Sequence, residues 1–257
     1  MGGEIYLKDK EKQIQRDLEI MKMLTSGIAT KDYLAHVCFR DESGKQVSRQ
    51  VVERRLATLE KNGYIARRRY GSMNTEKSHD IYTLAERGIN EVCKVFSYEK
   101  DFIRHYFPTV DKLVHELQLS SIMRVIKNQA EEGKFKIVEM FDDVVMKRRA
   151  GSSKSFYYPD LVIMMETNLG RKCVFYLELD GASKSAFYWK RKVIGWEWPT
   201  LVLSFTTARL EMMKQYVTES GRTKETGFAL TSEFEKKGLN TEWYWLPQKV
   251  RGRIDLL

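Results

Sequence analysis

Asp160-Leu161-Val162-Ile163-Met164-Met165-Glu166 and Cys173-Val174-Phe175-Tyr176-Leu177-Glu178-Leu179 are apolar runs of strand length, joined across the turn signal Asn168-Leu169-Gly170. Two strands so connected pair as an antiparallel hairpin. Tyr158-Pro159-Asp160 opens the first strand, and Glu178-Leu179-Asp180 closes the second. Seventeen residues separate Asp160 from Glu178, a span that a hairpin folds back to one sheet edge. The two-residue period of a strand puts Glu178 and Asp180 on the same face. Three carboxylates at one sheet end repel each other unless a divalent cation lies among them, and oxygen donors of this kind suit Mg²⁺ or Mn²⁺. Such an ion acidifies water and stabilises charge on a phosphate, and a nearby lysine neutralises the same phosphate.

Regular elements extend outward from this hairpin. On its N-terminal side, 110–130 reads as a helix with the buried stripe Leu113, Leu117, Ile122, Val125 and Ile126, ended by Gly133. A strand follows over 135–140, then the basic patch Lys147-Arg148-Arg149 and a Gly-Ser turn. On its C-terminal side come a helix over 183–196, a buried strand over 200–205 and a helix over 208–217. The aromatic, basic tail from Glu242 is expected to pack back onto the core. The order helix, strand, strand, strand, helix, strand predicts an α/β core over 111–257.

The N-terminal part has a different rhythm. Ile14, Leu18, Met21 and Leu24 form a helical stripe stopped by Gly27, and a short helix from Thr30 carries Tyr33, Leu34 and Val37. Ser48 is placed as the N-cap of a third helix running to Lys61 and ended by Asn62-Gly63. Val52, Leu56 and Leu59 face its core side. At about 100° per residue, Gln50, Arg54 and Lys61 lie opposite, flanked by Arg49 and Arg55. A strand bearing Arg67, Arg68 and Arg69, a turn-rich stretch containing Lys77, and a second strand over 79–83 lead to a helix from Ala85. Three helices and a hairpin are the parts of a winged helix-turn-helix, predicted over 12–95. Ile81-Tyr82-Thr83-Leu84-Ala85-Glu86-Arg87-Gly88 resembles the second wing strand and closing helix of bacterial regulators of that class. Residues 96–110 read as a connector, and 1–11 as a disordered or cloning-derived leader.

The chain has 257 residues, 44 Lys plus Arg against 35 Asp plus Glu, and a formal net charge of +9. Between Lys45 and Arg87, ten basic and five acidic residues leave +5 in one segment. That concentration favours a polyanion, with the third helix in a major groove of double-stranded DNA and the hairpin on the adjacent backbone. With 42% apolar residues the chain supports a real core, and only four prolines exclude Pro-rich architecture. Cys38, Cys93 and Cys173 lack framework spacing and read as reduced thiols of a cytoplasmic protein. No secretory h-region or membrane-length apolar run is present, and Tyr6 stands where a myristoylation start needs Ser or Thr. No Walker A loop, G-x-G-x-x-G or G-x-S-x-G occurs, so no nucleotide cofactor is expected. Tyr157 and Tyr158 would need an H-x-H histidine pair to serve as relaxase nucleophiles, and His36, His79, His105 and His115 show no such spacing.

Pro159-Asp160 and Glu178-Leu179-Asp180 on consecutive strands resemble the PD-(D/E)XK restriction-endonuclease-like core. Asp180 stands where that motif has its lysine, and the lysine of such proteins can migrate to the next helix, where Lys184, Lys190 and Lys192 are available. With the N-terminal half added, the chain resembles the replication-relaxation family of plasmids and conjugative elements. The matching residues are Pro159-Asp160, Phe175-Tyr176-Leu177-Glu178-Leu179-Asp180, and Lys192 with Trp196 in place of a tyrosine. The resemblance implies metal-dependent nicking or cutting of DNA at a replication or transfer origin. Asp160, Glu178 and Asp180 would be metal ligands, and Lys192 the catalytic lysine. Two other readings stay open: a non-cutting origin or operator binder with an inactive nuclease fold, and the cutting subunit of a transposase. A palindromic site would imply a homodimer with one recognition helix per half-site.

Overall fold

The computed structural model describes residues 2–40, 43–71, 79–100, 103–150, 158–180, 186–195, 197–221 and 225–254. The chain divides into two compact units, Met1–Ser120 and Ser121–Leu257. Both mix helices with sheet.

In the first unit, α1 (Gly2–Leu24) is followed by the two-residue strand β1 (Ala29–Thr30), α2 (Lys31–Cys38) and α3 (Arg49–Lys61). The strands β2 (Ile65–Tyr70) and β3 (His79–Leu84) and helix α4 (Glu86–Phe96) come next. The sheet order is β1-β3-β2, all antiparallel, with Ile65 opposite Leu84 and Tyr70 opposite His79. Helix α1 takes in the segment read from sequence as a leader, because its Lys, Glu and Gln residues are good helix formers continuous with the apolar turns. Its core contacts come from Ile20, Met21 and Leu24, with Leu18 at the margin, while Ile14 is 51% exposed. In α2 the buried side is Leu34, Ala35 and Cys38 rather than Val37, and Thr30 caps the helix by accepting from the Tyr33 N–H at 3.1 Å. In α3, Val52, Leu56 and Leu59 are buried as their spacing predicts. Gly88 lets α4 seat against the chain before β2, since a Cβ there would collide with the Tyr64 carbonyl.

The stretch expected as a connector is packed. Ile103 joins the core of α1 to α4, and Phe107, Leu113 and Leu117 pack with Ile28, Tyr70 and Ile81 on the small sheet. The Tyr70 hydroxyl donates to the Pro108 carbonyl at 2.7 Å, and buried Arg104 pairs with Glu116.

The second unit is built on a seven-stranded mixed sheet. Helix α5 (Leu113–Glu131), preceded by a 3₁₀ turn, carries the chain from one unit into the other. There follow β4 (Phe135–Asp142), α6 (Asp143–Ala150), the hairpin β5 (Leu161–Thr167) and β6 (Lys172–Asp180), and α7 (Ala186–Ile194). The remainder is β7 (Thr200–Ser204), α8 (Thr207–Glu219), β8 (Thr226–Leu230), α9 (Thr231–Lys237), β9 (Trp243–Leu246) and β10 (Val250–Gly252). The order is β10-β9-β8-β7-β6-β5-β4, with β6, β7 and β8 parallel and the other neighbours antiparallel. The aromatic tail adds two strands to the sheet. Strand β8 and helix α9 have no counterpart in the sequence reading. Thr226-Gly227-Phe228-Ala229-Leu230 is a short central strand buried on both faces, so it lacks the polar alternation that marks strands.

Register fixes which residues share a sheet face. Glu178 lies beside Val202, which lies beside Phe228, and Asp180 lies beside Ser204. Val202 and Phe228 pack with Trp189 and Val193 of α7 and with Leu210, Met213 and Val217 of α8. Glu178 and Asp180 therefore point into the layer of α7 and α8. On α5, the Gln129 amide donates to the Lys237 carbonyl and accepts from the Leu239 N–H, both at 2.9 Å, tying α5 to the end of α9.

Candidate functional site

The hairpin delivers its two ends to one edge of the large sheet. Asp160 immediately precedes β5, and its Oδ2 accepts the Leu179 N–H at 2.7 Å. That bond fastens the start of one strand to the end of the next. The Asp160 carboxyl lies beside that of Glu178 and raises its pKa. Glu178 is fully buried, and Lys192 of α7 donates to its Oε2 at 2.5 Å. The Lys192 ammonium also lies 5.4 Å from the Trp189 ring centroid and 5.9 Å from that of Tyr188.

The electrostatics of this trio follow from burial and charge count. Burial is the main force raising the Glu178 pKa well above its ordinary value, with neighbouring Asp160 adding to it and Lys192 opposing it. Burial depresses the Lys192 ammonium, but the negative charges of Glu178 and Asp160 outweigh it, so its pKa ends above the ordinary lysine value. Two adjacent carboxyls thus face one ammonium in a poorly solvated place. A hard divalent cation would relieve that crowding.

Asp180 departs from the three-carboxylate expectation. It shares the sheet face of Glu178, yet Arg209 of α8 grips it side-on, Nε to Oδ2 at 2.5 Å and Nη2 to Oδ1 at 3.1 Å. Among the described residues, no three His, Cys, Asp or Glu side chains gather as a metal-holding group. The expected trio resolves into an Asp160–Glu178 pair with Lys192 beside it, and an Asp180–Arg209 ion pair. The donor set still fits Mg²⁺ or Mn²⁺, because Mg²⁺ is commonly held by one or two carboxylates, with waters and substrate phosphates completing its octahedron.

The three lysines considered for the site separate clearly. Lys192 reaches Glu178, Lys190 pairs with Glu219, and Lys184 lies outside the described residues, as do Tyr157 and Trp196. Lys190 and Lys192 are two apart on a helix and so project about 200° apart. Lys147, in the basic patch that falls on α6, pairs with Asp143 at 2.5 Å. Sequence reasoning missed Arg209. Its partner is 29 residues away in the chain, and the only local signal is a basic residue in the first turn of the helix after the next parallel strand.

In the first unit, Gln50, Arg54 and Lys61 are exposed on the outer side of α3. Arg49 donates to Glu53 at 2.8 Å, and Lys31 donates to the same oxygen at 2.9 Å. These bonds, the one from Arg49 first, hold the Glu53 carboxyl down to about 2. Arg67 pairs with Glu60 at 3.2 Å, which raises its pKa, and Arg69 pairs with Asp80 at 3.2 Å. Arg68, on the other side of β2, lies 4.8 Å over the Phe107 ring. Arg55 does not join this outer set. Its guanidinium forks onto Asp17 of α1, Nε to Oδ1 at 2.7 Å, and both side chains are largely buried. Lys77 lies outside the described residues.

No helix among the described residues is long and apolar enough to cross a membrane. A family model described as "Replication-relaxation" matches residues 23–197, which takes in the whole hairpin and Lys192. No curated protein and no solved structure matches the chain.

Proposed function

Because the chain belongs to the replication-relaxation family, we propose that it is a metal-dependent DNA endonuclease that nicks at a replication or transfer origin of a plasmid or other mobile element. The N-terminal unit would be a winged helix that binds the site in double-stranded DNA. The C-terminal unit would be a PD-(D/E)XK-like core that cuts. The observation carrying this reading is the Asp160–Glu178–Lys192 cluster at the sheet edge, in which Glu178 and Lys192 are buried. A domain that only binds phosphates gains nothing from paired carboxylates, whereas a hydrolytic centre needs them.

Asp160 and Glu178 would hold Mg²⁺ or Mn²⁺, which when bound supplies positive charge against the phosphoryl oxygens and lowers the pKa of water in the site. The protein's own groups do the rest. The Leu179 N–H fixes the Asp160 carboxylate, and Lys192 opposes the rise in the Glu178 pKa and presents its ammonium to the charge that builds on the phosphate. Water adds its oxygen to phosphorus and loses a proton. One P–O ester bond breaks, and the departing alkoxide takes up a proton to become a hydroxyl.

Positioning on DNA would fall to Gln50, Arg54 and Lys61 of α3, with Arg49, and to Arg67 and Arg69 of β2. Arg49, Arg67 and Arg69 are held by carboxylates that phosphates would have to replace. A second reading, a non-cutting origin binder, is favoured by one observation: Arg209 occupies Asp180, so no third carboxylate among the described residues completes the centre.

Supercoiled plasmid carrying the cognate origin, incubated with protein and Mg²⁺ or Mn²⁺, separates the two. Nicked circles that vanish when EDTA removes the metal are the expected result. Tight binding with intact supercoils under every metal would leave the binder reading in place.

A further inference from the structure

Asp180 and Arg209 raise a question the carboxylate pair does not answer, namely why a buried aspartate two residues from the centre recruits a cation from a separate helix. We propose that Arg209 is a phosphate-binding residue of the same centre and that Asp180 is the positioning residue that aims it. The inference rests on the nuclease reading above and names how the DNA backbone is held there.

The geometry starts from the parallel strands. Asp180 and Ser204 end β6 and β7 side by side, on the face that also carries Glu178. Chain leaving β7 passes through Phe205 and Thr206 and enters α8, a 13-residue helix whose first turn carries Arg209. Thr206 caps that helix by accepting the Arg209 N–H at 3.2 Å. The helix N-terminus contributes partial positive charge to the same edge, a setting that favours anions.

A second, independent observation points to a ligand. The Ser204 hydroxyl is fully buried and has no hydrogen-bond partner among the described residues, at the position beside Asp180. A buried hydroxyl without a partner is destabilising, so such a group is retained where something transient accepts its hydrogen bond. A phosphoryl oxygen is an acceptor of that kind. A guanidinium, a helix N-terminus and a hydroxyl donor make an oxyanion site. The adjoining Phe205 ring is 36% exposed and offers a surface on which a base could stack, which favours a nucleotide chain over a free anion.

Burial is divided unequally between the paired residues. The Asp180 side chain is fully buried, while that of Arg209 keeps 13% exposure. The aspartate is therefore the anchor and the arginine the group at the surface. A side-on grip through Nε and Nη2 fixes the plane of the guanidinium, and a planar fork held in one orientation is what bidentate recognition of a phosphate requires.

The test must separate phosphate binding from simple neutralisation of Asp180. Affinity for a duplex oligonucleotide carrying the cognate origin is measured in EDTA across a salt series for wild type, Asp180→Asn, Arg209→Lys and the double variant Asp180→Asn with Arg209→Gln. The double variant leaves no lone buried charge, and its thermal unfolding checks that it folds. Relative to Asp180→Asn, it should flatten the log–log salt slope by about one unit, the loss of one phosphate contact. Arg209→Lys should retain the slope, because the charge remains. A double variant with the slope of Asp180→Asn would mean that Arg209 only neutralises its partner and would overturn the inference. Cleavage is scored separately. Wild-type nicking with an unaltered slope sinks this inference alone, and a flattened slope with no nicking under any metal sinks the nuclease reading alone.

Discussion

At the residue scale, the centre of the second unit is a buried charge cluster, and such clusters respond sharply to loss of one member. Lys192→Met leaves Glu178 without its cation in a fully buried position. The expected cost is about 3–5 kcal/mol in chemical denaturation, and adding Glu178→Gln should recover most of it, because the carboxyl that has lost its ammonium goes too. Equal costs for the single and double variants would show that the pair carries no such coupling. Glu53 in the first unit gives a pH test. Its carboxyl is lowered from 4.5 to about 2 by Arg49 and then Lys31. A depressed carboxyl contributes stability that is fully present above its unfolded pKa and lost as pH falls through the folded one. Wild type should therefore lose melting temperature faster than Glu53→Gln between pH 4.5 and about 2, with the two curves parallel above that window. Parallel curves throughout would contradict the pairing. The meeting of Asp160 with Glu178 was legible in the sequence because a hairpin folds its two ends together, whereas the two-residue period set Asp180 on the same face without making it a partner. Arg209 was not legible, because a cation arriving from another helix leaves no mark near Asp180.

At the element scale, β2 divides its three arginines between two sides. Arg67 and Arg69 share one side with exposed, acid-paired guanidinia, and Arg68 points to the side where Phe107 packs. Neutralising Arg67 and Arg69 together should flatten the salt slope of DNA binding by about two units, measured by fluorescence anisotropy. Arg68→Ala should instead lower the melting temperature, through loss of its stacking on Phe107. An unchanged slope in the Arg67 and Arg69 variant would mean that this strand does not touch DNA. The extent of α3 could be read from Ser48 and Asn62-Gly63 at its ends, and its buried Val52, Leu56 and Leu59 from apolar spacing. The fate of Arg55 could not, since its fork onto Asp17 depends on how α1 crosses α3. Strand β8 escaped for a different reason. A central parallel strand is apolar on both faces, and Gly227 interrupts even that run.

At the scale of the whole molecule, the excess of positive charge has a local exception. The chain is +9 overall, yet one ionisable cluster of the second unit holds two carboxyls against one lysine. On the proposed reading the excess of basic residues attracts a phosphodiester, and the paired carboxyls would hold the cation. The α/β character of the second unit and its hairpin were readable from element order. The tail's contribution of β9 and β10 was only foreshadowed by its aromatic content, because edge strands are defined by the neighbour they join. The most direct test of the central claim uses variants of the two carboxylates that still bind the origin. With Mn²⁺ and supercoiled DNA, Asp160→Ala and Glu178→Gln should retain wild-type binding to the origin in a gel shift and lose nicking by at least about a hundredfold, the scale of losing one electrostatic catalytic group. Variants that bind and nick at the wild-type rate would contradict the assignment of this pair as the cutting centre.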